Sequence, residues 1–347
     1  MNGRSNLSQF EVISQLRFPL IVLVTYAHSY GAVAADYSLL ASDWDTYEFL
    51  KLLISQTLVK VAVPVFFIIS GYLFFANVDV WDSRVYFKKI RRRFWTLLVP
   101  YVVWNFLMAV KMGHIDWNAF WIYYAKAGVQ IDWFGNMQLM TAPCNMPLWF
   151  LRDLIVVSLL SPIIYIGVSR WGGWLLAVLT VFYLSGIYAF IPGLSAYAVY
   201  FFSLGAFFGI RKMDFIDMAK RAELPVYVLS LCLGVAMMLA YRTAIFSSLM
   251  LCFRIVGAFA TFALASRILS VTSRRLPRLV VQASYFIYLA HYVLFLSFID
   301  TAFFHFFGIS TAAYSIHYLL CPLIKVALLV GVYIVYDKIL TFCRKCR

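Results

Sequence analysis

Charge is scarce in this 347-residue chain. Only 13% of its residues are Asp, Glu, Lys or Arg, where a soluble domain carries about 25%. That shortage excludes an ordinary soluble globular protein and a disordered chain. Cysteine is too sparse and too scattered for a disulfide scaffold. Of the six, Cys232, Cys252 and Cys321 fall in apolar runs as small core residues, Cys144 stands alone, and Cys343-x-x-Cys346 reads as two thiols in a basic tail. Two ligands alone do not make a zinc site. The five histidines lack ligand spacing, and neither an HExxH nor a Walker motif is present, so no metal site is expected. No stretch is long and polar enough for a separate soluble domain, and no internal repeat of fixed period is visible.

Apolar sequence is what abounds: 64% of residues are hydrophobic and the mean hydropathy is +0.85. A spanning helix needs about 20 mostly apolar residues. Ten runs meet that pattern, within 9–34 and near 57–76, 95–112, 148–168, 172–190, 195–210, 225–241, 249–268, 280–299 and 316–337. Ser8 and Glu11 form an S-x-x-E capping pattern at the first. Residues 113–147 are aromatic-rich but too polar to span. The expected fold is an all-α integral membrane protein, a bundle of about ten transmembrane helices in a single domain over residues 1–347.

The formal net charge of +14 would suggest nucleic acid in a soluble protein. Here the basic residues sort by side. With ten spans, 20 of the 29 Lys and Arg fall on the side of the termini and four on the other, with five inside helices. The positive-inside rule then places both termini in the cytoplasm of a multi-pass cell (inner) membrane protein, with lipid rather than nucleic acid as its partner. The opposite face carries seven acids, Asp300 among them. Ala32-Val33-Ala34 imitates a signal-peptidase site, but Arg17 and His28 make the preceding run unlike a cleaved segment, so its retention is expected.

Arg17 and His28 are the polar pair of the first run. Eleven residues at ~100° each put them within about 20° around a helix and about 16 Å apart along it. Ionisable groups at depth usually face a bundle interior or a wet cavity. An interfacial anchor for Arg17 and a hydrogen-bonded structural histidine at position 28 satisfy the same spacing. Lys88, Lys89, Arg91, Arg92 and Arg93 crowd the loop expected between the second and third runs, a clamp for phosphates or a membrane anchor. Ser284, Tyr288 and His291 are spaced four and three apart and share a stripe. Trp149, Arg152 and Asp153 open the fourth run, the last two as an interfacial pair. Ser70 and Gly71 suit close helix packing.

These segments resemble one family in order along the chain. RFPLIVLVTYAHS (17–29) is similar to the first helix of the acyltransferase-3 family of multi-pass membrane enzymes, with Arg17-x10-His28 as its signature. VAVPVFFIISGYLFF (61–75), KKIRRRFWTLLVPY (88–101), PLWFLRDLIVVSLLSP (147–162) and SYFIYLAHY (284–292) resemble its later helices. The family's Arg-x-x-Arg has no strict counterpart, since the chain carries Lys88-x-x-Arg91 and Lys89-x-x-Arg92. The resemblance implies O-acetyltransferase-like transfer of an acyl group, usually acetyl, from cytoplasmic acyl-CoA to a hydroxyl of an extracytoplasmic glycan or lipid-linked sugar. Acyl-CoA is then a co-substrate, with no permanently bound cofactor. His28 is the expected base or acyl carrier, with Arg17 beside it. The five basic residues hold CoA. His291, Tyr288, Ser284, Asp153 and Trp149 bind or support the acceptor. A secondary transporter or a non-catalytic glycan-export partner is the alternative, although the matched interrupted helices of transporters are not visible.

Overall fold

The computed structural model describes residues 8–29, 45–113, 126–131, 137–186, 193–294 and 297–345. The Ala32–Ala34 segment and Cys346 lie outside them. Thirteen helices occur among the described residues. They are α1 (Gln9–Ala27), α2 (Thr46–Phe75), α3 (Ser83–Lys111), α4 (Trp149–Leu159), α5 (Ser161–Trp171), α6 (Gly173–Leu184), α7 (Ala196–Ile210), α8 (Phe215–Arg221), α9 (Glu223–Leu239), α10 (Ile245–Thr272), α11 (Arg278–Ala290), α12 (Ser297–Phe307) and α13 (Thr311–Lys345). Each of the ten apolar runs holds at least one of them.

The described spanning segments are all helical, as expected, and one small hairpin is added to them. Within the stretch too polar to span, β1 (Lys126–Ile131) pairs antiparallel with β2 (Met137–Ala142), with Lys126 opposite Ala142 and Ile131 opposite Met137. Ten separate spans are not established among the described residues. Five helices there are long and apolar enough to cross a membrane, or seven if the two bent pairs each count as one span. The bends are 63° between the α4 and α5 segments and 81° between α8 and α9. Pro162 in the first turn of α5 lacks the N–H that a continuous ladder needs. α6 and α7 are apolar but shorter.

Several local expectations change. Ser8 is the N-cap of α1 but makes no side-chain cap bond. Glu11 instead pairs with Arg275, so the capping box is not formed. The basic segment 88–93 is no loop: it belongs to α3, whose N-cap Asp82 accepts from the Val85 N–H at 2.7 Å. A π-helical stretch, Phe94–Leu98, carries it into the apolar part. The ninth run is broken, with α11 ending at Ala290 and α12 starting at Ser297.

The chain divides into two compact units, residues 1–62 with 265–347, and residues 63–264. In the second, α2 and α7 meet backbone to backbone. A Cβ on Gly71 would sit 2.1 Å from the Phe202 carbonyl oxygen, and one on Gly205 2.0 Å from that of Ile68. Close approach of this kind is how helices associate without a hydrophobic driving force, and it fits the packing role expected of Gly71.

The first unit joins the two ends of the chain. α1 packs on α11 and α13, and α11 packs on α13. Asp300 was expected on a polar outer face, but α12 docks on α13 and buries it. Its two carboxylate oxygens accept from His317 Nε2 at 2.8 Å and Lys325 Nζ at 2.7 Å. Burial of a carboxylate is tolerable only when it is paired and hydrogen-bonded. Cys321 lies one turn from both on α13. Its sulfur and the ligand-type atoms of Asp300 and His317 fall within 4.8 Å of one another. Asp300 is already taken up by His317 and Lys325, so the geometry reads as an interhelical lock.

Candidate active site

α1 carries the first two candidate residues. Val12, Ile13, Leu16, Leu20, Ile21 and Val24 are buried, spaced by three and four as a packed helical face requires. Ile13, Ile21 and Val24 lie within about 40° of Arg17 around the helix. Arg17 is nevertheless exposed, so the packed face is interrupted at its level. It makes no hydrogen bond or ion pair among the described residues.

The helix ends at Ala27, and His28 is its C-cap, with φ −105° and ψ 0°. Hydroxyls secure this last turn. Thr25 Oγ1 donates to the Ile21 carbonyl at 3.0 Å and Ser29 Oγ to the Thr25 carbonyl at 2.7 Å. Ser55 Oγ donates to the Tyr26 carbonyl at 3.0 Å and lies 2.6 Å from the Tyr318 hydroxyl. Tyr26 Oη donates to the Leu319 carbonyl at 2.7 Å. α1 and α13 are thereby pinned just before His28.

α11 brings the other histidine. Ser284, Tyr288 and His291 are all buried, as one stripe demands. His291 is the C-cap of α11, not a residue inside a continuous helix. Its Nδ1 lies 2.8 Å from the Tyr288 carbonyl and 3.1 Å from that of Ile287. Carbonyls only accept, so Nδ1 carries the hydrogen and Nε2 bears the lone pair of the neutral ring. Nε2 is buried with no partner, and so is the Ser284 hydroxyl oxygen two turns earlier. Buried polar atoms without partners are costly and are few in folded proteins.

The two histidines meet across α1 and α11. Their ring centroids are 5.4 Å apart, and the His28 ring lies 5.8 Å from Tyr292. Tyr288 is 6.3 Å from His291, centroid to centroid. The structure thus gathers His28, His291 and Tyr288 into one cluster, with Ser284 and Arg17 further along the same helices.

The remaining candidates belong to the second unit. In α3, Lys89 Nζ and Arg93 Cζ lie over the Phe74 ring at 5.1 and 5.3 Å, one turn apart. Lys88, Arg91 and Arg92 are exposed on other faces. The five basic residues therefore divide into two docked on an aromatic ring and three turned outward. In α4, Arg152 Nε and Nη2 donate to Asp153 Oδ1 at 3.1 and 3.0 Å, and Asp153 Oδ2 accepts from Ser195 Oγ at 2.7 Å. The pair is buried, not interfacial. Trp149 is part-buried beside Tyr197, with centroids 6.1 Å apart.

Half-buried His28 and buried His291, their rings adjacent and the His291 Nε2 without a partner among the described residues, form a pair that could exchange protons. The model for the acyltransferase domain family matches residues 11–336, and the chain belongs to that family of multi-pass membrane acyltransferases. It is similar to the succinoglycan biosynthesis protein ExoH of Rhizobium meliloti (strain 1021), 29% identical over 179 residues. That match takes in 49% of this chain and 44% of the relative, so the chain spans less than half the length of the curated relative it matches. No solved structure matches.

Proposed function

We propose that the protein transfers an acyl group, acetyl in the simplest case, from cytoplasmic acyl-CoA to a hydroxyl of an extracytoplasmic or lipid-linked glycan. Ten spans with both termini in the cytoplasm of the inner membrane are part of the reading, supported by the distribution of Lys and Arg. The observation that carries it is the His28–His291 pair, 5.4 Å apart and built from opposite ends of the chain. Family membership supports the reaction class. The relative's name, a succinoglycan biosynthesis protein, supports a polysaccharide acceptor.

In this mechanism the acceptor oxygen attacks the thioester carbonyl while neutral His28 takes its proton. The C–S bond breaks, and the imidazolium returns the proton to the departing CoA sulfur. His291 presents its Nε2 lone pair to the same space and holds the His28 ring or the acceptor hydroxyl in place. Both histidines are helix C-cap residues, and the partial negative charge of those termini stabilises the imidazolium formed in turnover. Arg17, about 16 Å away along α1, is too far to reach the same carbonyl. It binds polar groups of CoA nearer the cytoplasm, with the forked contacts a guanidinium makes.

Lys88, Arg91 and Arg92 hold the CoA phosphates, while Lys89 and Arg93 anchor α3 on Phe74. Neutralising the outward three together is expected to raise KM for acyl-CoA about 10-fold or more with kcat little changed, as loss of uniform binding requires. Replacing Lys89 and Arg93 should instead lower the amount of folded protein. Steady-state kinetics and membrane yield separate the two sets. An unchanged KM in the triple variant assigns the outward residues to the membrane surface.

A further inference from the structure

Arg254 is the tenth residue of α10 and belongs to the second unit. An arginine inside a membrane helix is expensive and is normally paired or snorkelled to water. Arg254 is not paired among the described residues. It is only part-exposed, its Nε is buried with no acceptor, and it makes no ion pair among the described residues. Its only described contact is with an aromatic face: its Cζ sits 5.0 Å from the centre of the Tyr197 ring.

Tyr197 is the hub of an aromatic cage. Its ring lies 6.1 Å from Trp149, 6.1 Å from Tyr183 and 5.0 Å from Phe201. Two residues before it, Ser195 binds Asp153, whose other oxygen is taken by Arg152. That carboxylate is therefore already satisfied, and Arg254 has no acidic partner among the described residues. Gly193, at φ +87°, lets the turn into α7 press on α4. A Cβ there would meet Val156 Cγ2 at 2.6 Å. Four residues before Trp149, Asn145 is buried with both side-chain amide atoms unpartnered.

We propose that Arg254 and the Tyr197–Trp149 cage form a subsite for the anionic group of a charged saccharide. Aromatic rings stack on the apolar faces of sugars, and a desolvated guanidinium takes a carboxylate or phosphate by paired charged hydrogen bonds. In the proposed topology the start of α4, the end of α6, the start of α7 and the first part of α10 all lie toward the outer surface. The subsite thus deepens the acyltransferase reading, on which the glycan class rests, by requiring that the acceptor carry negative charge. The carboxylate of a uronic acid and the diphosphate of a lipid-linked sugar share this chemistry.

The test is binding by the full-length protein in lipid nanodiscs, without acyl-CoA, measured by titration calorimetry. The probes are an oligosaccharide containing glucuronic acid, its carboxyl-reduced neutral counterpart, and a polyprenyl diphosphate-linked glucose. The wild-type protein is expected to bind one of the two anionic probes about 10- to 100-fold more tightly than the neutral one, the effect of a charged hydrogen bond. The identity of that probe names the source of the charge. Arg254→Gln should erase the difference and Arg254→Lys keep part of it. Tyr197→Ala should weaken charged and neutral oligosaccharides alike. Equal or absent binding of all three probes by the wild type overturns the proposal, as does an Arg254→Gln protein that still discriminates. Because no transfer is measured, failure here leaves the His28 chemistry untouched, and an inactive transferase that still discriminates leaves the subsite standing.

Discussion

Transfer by the His28→Ala protein is expected to fall by at least about 100-fold, and by as much as about 10,000-fold where chemistry limits the rate, because general-base assistance has that range. Abundance and membrane insertion should stay near normal. The last turn of α1 is held by Thr25, Tyr26, Ser29 and Ser55, not by the imidazole. His28→Gln separates chemistry from support. An amide preserves a hydrogen bond but accepts no proton near neutral pH, so the catalytic account expects no rescue. His291→Gln should also be impaired, because the Nε2 lone pair is replaced by an amide of fixed donor and acceptor ends. Initial rates of CoA thiol release, read against protein quantified in the membrane, check both.

The second large effect is on stability. Asp300→Ala removes the acid that both His317 and Lys325 contact inside the α12–α13 pair. Breaking a buried ion pair from one side costs about 3–5 kcal/mol, whereas replacing both partners by apolar residues of similar size is often neutral. Thermal unfolding in detergent should show a strongly destabilised Asp300→Ala protein, with most of the loss recovered in an Asp300→Leu, Lys325→Met double variant. A single variant as stable as the wild type would show that the lock contributes nothing to the fold.

What was legible in the sequence follows from the physics of each signal. Apolar runs report immersion, so all ten candidate segments contain helix. They do not report where a helix stops, because residues such as Tyr292, Val293 and Leu294 are as apolar in a turn as in a helix. The end of α1 at Ala27 and the break after Ala290 were hidden for that reason, and both leave a histidine at a helix terminus. Spacing correctly put Ser284, Tyr288 and His291 on one stripe, but pairing His28 with His291 needs contacts between distant parts of the chain. The basic cluster read as a loop because six residues of dense charge resemble a solvated segment. Capping by Asp82 and the docking of Lys89 and Arg93 on Phe74 make it helical. Asp300 looked like a surface acid because its partners, His317 and Lys325, lie 17 and 25 residues away. Arg254 was visible as a charge within an apolar run, which is signal enough to single it out. Its aromatic cage was not, since α4, α6 and α7 converge there only in the folded chain.

The central claim is that this bundle moves an acyl group through His28, and one experiment meets it directly. Purified full-length protein in lipid nanodiscs is given acetyl-CoA and glycan extracted from cells lacking the protein. Released CoA thiol and acetyl ester on the glycan are measured in the same sample, the ester by mass spectrometry. The account predicts that the wild type forms both in equal amount and that a well-folded His28→Gln protein forms neither. Undiminished ester formation by His28→Gln, or a well-folded wild type that forms no ester, would contradict it.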